Sequence, residues 1–339
     1  MIDLNTIWFI LIGVLITGYA ILDGFDLGVG VLHLFARDDH ERRINLNAIG
    51  PVWDGNEVWL LTGGGALFAA FPIVYATVFS GFYLALILLL AALIFRAISL
   101  EFRGKVDSPG WRKFWDWAFS LGSLLPAILF GVAVGNVVKG IPIDIDGYYP
   151  GRFLGLLNPY AIMVGVLSLV MFTMHGALYM GVKTDGELQE RMGKWASRSW
   201  IAFVIIYFLT TLYTFFAAPH LYDGILSKPM FWVFYVIFLL AVIYIPLATK
   251  AKRFFRAFLA SSLTILSLIG LAAVSMFPKL VTSSVDLAYS LTIYNASSTP
   301  RTLTTMLIIA LVGMPIVLIY TIYIYRVFKG KVIIGEDSY

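Results

Sequence analysis

The stretch IWFILIGVLITGYAILDGFDLGVGVLHLF, residues 7–35, decides how the whole chain is read. It is apolar for longer than the roughly 20 residues that a bilayer-spanning helix needs. Yet its second half carries two acids, Asp23 and Asp26. A charge at membrane depth is costly, so acids kept there are expected to be paired or to work. The run lacks a basic leader and continues past the length of a secretory signal, so it is expected to stay in the mature protein.

The remainder follows the same pattern. Of 339 residues, 60% are hydrophobic and only 13% charged, where soluble domains run at about a quarter charged. The chain therefore reads as an all-α polytopic membrane protein. Nine spans are expected, near 7–35, 51–71, 74–98, 117–138, 159–182, 199–219, 229–249, 256–278 and 303–327. Pro72 separates the second from the third, because it cannot donate a helical hydrogen bond. Pro126, Pro246 and Pro315 fall within spans and predict kinks rather than breaks. The longest connections, about 139–158 and 279–302, are too short to bury a core of their own. Residues 1–339 are thus expected to form a single integral membrane domain. Cysteine is absent, which excludes disulfides, thiolate metal sites and thiol catalysis.

Loop charge orients the spans. Of the 24 Lys and Arg residues, 18 fall in alternate loops, around 37–43, 103–113, 183–198 and 250–256, and in the tail at 326–331. The positive-inside rule then places the N-terminus outside and the C-terminus in the cytoplasm. The net charge of +4 reflects this bias and not affinity for nucleic acid.

That orientation gives the acids an address. Asp23 lies about 22 Å below Trp8 along the first helix, in its inner half, with Asp26 nearer the cytoplasm. Asp54 and Glu57 open the second span on the same side. Each pair is spaced i, i+3, so each puts two carboxylates on one helical face. Facing each other, the two pairs would form an acidic inlet able to accept and pass on protons. An equally simple reading makes Asp54 and Glu57 a capping box, with Asp26 paired to Arg37 or Arg42.

The glycines Gly24 and Gly28, with Gly63, Gly64 and Gly65, suit close helix approach, which would draw the two acidic helices together. No Gly-Lys-Ser/Thr follows them, so they are not a phosphate loop. Arg96 and Glu101 are expected to form an ion-paired anchor. Of the four histidines, His40 falls in a charged loop and His33 ends the first helix. His175 lies in the inner half of the fifth span and His220 at the outer surface, so these two cannot share one heme. His175 reads as a hydrogen-bonded packing residue, with axial heme ligation beside a Met as the alternative. The spacing of His and carboxylates supplies no transition-metal ligand set. Trp8, Trp53, Trp59, Trp111, Trp115, Trp117, Trp195 and Trp200 mostly fall near span boundaries, as interfacial anchors do.

With these segments in place, the chain resembles subunit II of the cytochrome bd-type quinol oxidases, the non-heme subunit. The resemblance runs nearly end to end. It is carried by LDGFDLGVG at 22–30, GPVWDGNEVWLLTGGGALFAAFP at 50–72, SGFYLALILLLAALIFR at 80–96, LLNPY at 156–160 and TSSVDLAYSLTIYNASS at 282–298. It implies nine helices, arranged as two four-helix bundles plus one peripheral helix, and a pseudo-symmetric heterodimer with a heme-bearing subunit I. It also implies that quinol oxidation and dioxygen reduction occur in that partner, which carries two b-type hemes and one d-type heme. No catalytic residue, cofactor-binding residue or metal ligand is then expected in this chain. A structural quinone and small single-helix subunits stay open. Asp54 matches the family's Trp-Asp-Gly-Asn acid of a cytoplasmic proton route, and Asp23 and Asp26 match its Asp-Gly-Phe-Asp motif. Some members have His and Gln where this chain has Val52 and Glu57, which alters the inlet. The stretch from Ala217 to Lys228 is also short, where some members carry a long hydrophilic insertion.

The resulting expectation is a multi-pass subunit of a bacterial or archaeal cell membrane, part of a quinol oxidase of the respiratory chain. It would support the heme subunit and help deliver cytoplasmic protons through Asp54, Glu57, Asp23 and Asp26, with Asn56 orienting the route. Membrane quinol would be the complex's substrate and lipid this chain's surroundings. The alternatives are a purely structural assembly subunit and, behind it, a secondary transporter, which midplane acids and broken helices also suit.

Overall fold

The computed structural model describes residues 3–335. The single-domain expectation over 1–339 also covers residues 1–2 and 336–339, which lie outside the described residues. Eleven α-helices follow one another among the described residues: α1 (Leu4–His33), α2 (Asp39–Ile49), α3 (Trp53–Ala70), α4 (Pro72–Gly81), α5 (Tyr83–Phe102), α6 (Pro109–Lys139), α7 (Pro159–Lys183), α8 (Gly186–Ala217), α9 (Pro229–Lys250), α10 (Phe254–Met276) and α11 (Pro300–Val327). Eight of these are long and apolar enough to cross a membrane: α1, α5, α6, α7, α8, α9, α10 and α11. The span expected at 51–71 is the 18-residue α3, which is not among those eight.

Three other boundaries differ from the sequence reading. The expected span 74–98 is two helices, α4 and α5, because the backbone leaves helical geometry at Phe82 (φ −102°, ψ 13°). The short α4 is held by loops instead: Thr77 Oγ1 donates to the Gly147 carbonyl at 2.6 Å. Gly81 packs so close to the Tyr149 ring that a Cβ would sit 2.8 Å from it. The charged stretch containing His40, expected as loop, is the helix α2. Asp38 caps it by accepting from the Glu41 N–H at 2.9 Å, and the Glu41 carboxylate accepts in turn from the Arg37 N–H at 2.7 Å. This near-reciprocal pair is a capping device, and Leu46 and Ile49 then bury the helix against the core. Finally, α8 begins 13 residues before the expected 199 and lengthens the basic end of the molecule. Pro126, Pro246 and Pro315 all lie inside continuous helices.

The packing centres on α1, α6 and α7. Helices α3 and α6 lie against α1, α5 against α6, α8 and α10 against α7, and α9 against α10, while α1 and α6 both pack on α7. Close crossings need small residues. A Cβ on Gly28 would fall 1.9 Å from the Phe172 carbonyl oxygen, and one on Gly176 would fall 2.5 Å from Gly28. The Gly24/Gly28 step therefore seats α1 on α7. It does not join the two acidic helices, as the sequence suggested. The α1–α3 contact uses Gly18 against the Trp59 ring, while Gly64 and Gly65 face open space. Helix α11 stands at the periphery, with none of its apolar window buried.

The connections fall into two sets. One end of the molecule holds α2, the short loops and the basic clusters. The other holds the long loops, including a two-stranded antiparallel sheet of β1 (Lys279–Val281) and β2 (Leu291–Thr292).

Candidate functional site: buried acids at the basic end

The acids singled out in the sequence are treated very differently by the fold. Asp23 and Asp26 are both fully buried. They lie three residues apart on α1, yet they meet different helices. Asp23 faces α5, where Arg96 grips it with both terminal nitrogens. The Nη1–Oδ2 distance is 2.9 Å and the Nη2–Oδ1 contact completes the fork. Such bidentate pairs are the strongest ion pairs available to a side chain. The expected Arg96–Glu101 anchor is thus replaced by Arg96–Asp23. Arg96 itself is fully buried, so it is best compensated by a charge at the same depth, whereas Glu101 lies at the exposed end of α5.

Asp26 faces α3 instead. Its Oδ2 accepts from Asn56 Nδ2 at 2.8 Å, and its Oδ1 has no hydrogen-bond partner. Asn56 also donates to the Leu22 carbonyl at 3.2 Å, and its Oδ1 accepts from the Tyr325 hydroxyl of α11 at 2.9 Å. This three-residue chain, Asp26–Asn56–Tyr325, joins α1, α3 and α11. The Tyr325 link was not legible, because 269 positions separate it from Asn56. The alternative pairing of Asp26 with Arg37 or Arg42 does not occur: Arg37 pairs with Glu187 and Arg42 with Asp116.

Asp54 and Glu57 occupy the first turns of α3. The helix starts after Val52 with no side-chain cap, so the capping-box reading is not realised. Asp54 is exposed and Glu57 half-buried. Glu57 lies within electrostatic reach of Asp23 and Arg96. Beyond them the outer face of α3 is apolar and uncovered, with Leu61 72% and Phe68 58% exposed. Near the acids, three buried polar atoms lack partners: Tyr19 Oη, Asp26 Oδ1 and Arg96 Nε. Native interiors leave few such atoms, and each calls for an explanation.

A third buried acid escaped the sequence reading. Asp116 of α6 accepts from His33 Nε2 at 2.7 Å, Arg103 Nε at 2.6 Å and Arg42 Nη1 at 2.9 Å. Arg103 also reaches Asp39 at 2.6 Å. The cue was the WDW triplet at 115–117, an acid between aromatic anchors. Partial burial pushes the Asp39 carboxyl up, but the hydrogen bond and charge of Arg103 outweigh it and hold its pKa below the ordinary aspartate value.

His175 uses both ring nitrogens, Nδ1 with Ser261 Oγ at 2.6 Å and Nε2 with the Ile21 carbonyl at 3.0 Å, and stacks on Phe258. Among the described residues, no group of three or more His, Cys, Asp or Glu side chains is placed to hold a metal ion.

Comparison with known proteins adds to this geometry. A family profile for cytochrome bd terminal oxidase subunit II matches residues 4–328. The cytochrome bd-I ubiquinol oxidase subunit 2 of Escherichia coli strain K12 is 37% identical over 364 residues, spanning 97% of this chain and 95% of its own. The cytochrome bd ubiquinol oxidase subunit 2 of Bacillus subtilis is 38% identical over 334 residues, spanning 98% of both. A chain in the structure of the bd oxidase from Geobacillus thermodenitrificans superposes with a TM-score of 0.80. It is 17% identical, and the match covers 96% of this chain and 98% of that one.

Proposed function

This chain belongs to the cytochrome bd terminal oxidase subunit II family, and we propose that it supports the heme subunit and brings it protons from the cytoplasm. Membership makes it a subunit of a membrane quinol oxidase, an oxidoreductase complex, and a multi-pass protein of the cytoplasmic membrane. In our reading α3 is a ninth span. Helices α1, α3, α5 and α6 form one four-helix bundle, α7–α10 the other, and α11 is peripheral. The basic end, with 18 of the 24 Lys and Arg residues, faces the cytoplasm.

The two b-type hemes and the d-type heme, assigned to the partner subunit, supply electron transfer and dioxygen reduction. Both nitrogens of His175 are already engaged, which supports that assignment. This chain's part is to hold and move protons. The observation that carries the reading is Asp26: a fully buried carboxylate with one oxygen on a neutral amide and the other unpartnered. Oδ1 can take a proton without breaking any existing bond. Asp54, exposed at the start of α3, is the inlet, and half-buried Glu57 one turn on is the intermediate station. Asn56 fixes Asp26 and Tyr325 fixes Asn56. Asp23, clamped by Arg96, serves as a charge anchor that keeps α1 and α5 in register. The partner subunit covers the apolar outer face of α3 and receives the protons there. Protons consumed from the cytoplasm, with quinol protons released outside, build a gradient without a pump.

The alternative of a purely structural subunit draws support from the same Asp23–Arg96 pair. Asp54→Asn and Glu57→Gln separate the two. Proton delivery predicts an assembled complex with full heme content whose oxygen consumption falls about tenfold or more. Unchanged turnover would leave only the scaffold role.

A further inference from the structure

The long-loop end carries a recess that the proton reading does not use. It has a volume of about 270 Å³ and is lined by Lys139, His220, Thr282, Ser283, Ser284 and Asp286, with two apolar neighbours. A second recess of about 220 Å³ adjoins it, shares Lys139 and Ser284, and adds Arg152. We propose that this recess binds the phosphate of an aminophospholipid headgroup from the leaflet at that end.

The polar groups converge from three parts of the chain. Lys139 is the last residue of α6, and its ammonium has no hydrogen bond or ion pair among the described residues. Thr282 is 2% exposed, and its Oγ1 has no partner. His220 follows α8, and its Nε2 is buried and likewise unpartnered. The unpartnered Thr282 hydroxyl and the uncompensated ammonium describe a site short of an oxyanion, while His220, whose other ring nitrogen bonds the Val138 carbonyl, turns Nε2 into the recess as an acceptor suited to a headgroup ammonium.

The walls are rigid. Residues 282–284 bridge Ile141: its N–H donates to the Thr282 carbonyl at 3.0 Å, and its carbonyl accepts from the Ser284 N–H at 2.9 Å. Ser283 Oγ ties the same segment to the Ile143 carbonyl at 2.9 Å.

Position and charge favour a lipid over a free anion. The recess lies where α6 and α8 leave their apolar spans, at the level where basic residues meet headgroups. Exposed Phe215 and Phe216 in the last turn of α8 offer acyl chains a surface. Asp286 on the rim would repel a bare phosphate but suits the ammonium of an ethanolamine headgroup. One of its oxygens is already held by the Ala288 N–H at 2.9 Å. Lys279 and Asp223 lie within electrostatic reach of His220.

The test is native mass spectrometry of the delipidated, assembled oxidase, titrated separately with phosphatidylethanolamine, phosphatidylglycerol and inorganic phosphate. The expected result is a saturable phosphatidylethanolamine site that weakens about tenfold in Lys139→Ala. It should weaken several-fold in Thr282→Val, which keeps the side-chain shape. Lys139→Arg should retain it, and phosphatidylglycerol should bind more weakly than phosphatidylethanolamine. Equal phosphatidylethanolamine binding by wild type, Lys139→Ala and Thr282→Val would overturn the site. Saturable binding of inorganic phosphate without phosphatidylethanolamine would overturn the lipid assignment.

Discussion

Asp116 and Asp26 are both fully buried carboxylates in the basic half of the molecule, and the fold treats them in opposite ways. Asp116 is saturated: His33, Arg42 and Arg103 occupy both its oxygens. Asp26 has one neutral partner and one bare oxygen. Asp23 stands with Asp116, because a whole guanidinium is devoted to it. Burial alone therefore does not mark a proton site. What separates the two classes is unused hydrogen-bonding capacity with no cation attached. The saturated acids tie helices together, and the unsaturated one is the acid we propose for proton transfer.

The comparison breaks most visibly at Asp116. Asp116→Ala removes the partner of buried His33 and of Arg42, and leaves Arg103 only its Asp39 contact; breaking a buried cluster from one side costs about 3–5 kcal/mol. Thermal melting and yield of the purified complex should both fall sharply, while any complex that survives should turn over normally. Arg96→Leu comes next, with a penalty of the same order as Asp23 loses its guanidinium. Adding Asp23→Leu should recover most of that loss, because an apolar pair can replace a buried ion pair at little cost. A double variant as unstable as the single one would show that the pair does more than hold helices.

The smallest effect belongs to Asp39, whose side chain is 48% exposed. Its pKa is lowered in the fold, so the stability it adds is present above the unfolded aspartate value, about 3.9, and is lost as pH falls through the folded value. Asp39→Asn should cost less than about 1 kcal/mol at neutral pH and flatten the acid limb of a melting-temperature profile.

How much of this was legible follows from range. Eight of the nine expected spans contain a helix long and apolar enough to cross a membrane, and the three expected in-span prolines lie inside helices; these are properties of local composition. The split at Phe82 was hidden because 74–98 is predominantly apolar, while contacts to Gly147 and Tyr149 of a distant loop meet α4 there. The i, i+3 spacing of Asp23 and Asp26 suggested one shared face. Their helical offset is enough to turn one toward α5 and the other toward α3. Which helix fills a glycine groove is likewise a tertiary choice, so Gly28 meeting Gly176 could not be read from GxxxG. Asp54, Asn56 and Glu57 were found through the motif at 50–72, whereas Tyr325 and Asp116 owe their roles to partners 269 and 83 positions away.

The central claim is that Asp26 carries protons while its buried neighbours carry structure. Its most direct test is oxygen consumption per assembled, fully hemed complex in Asp26→Asn, a variant that keeps the shape and the Asn56 hydrogen bond but cannot exchange a proton at neutral pH. The prediction is normal yield and heme content with turnover reduced about tenfold or more. Wild-type turnover in that complex would contradict it and place Asp26 among the acids that only hold the fold.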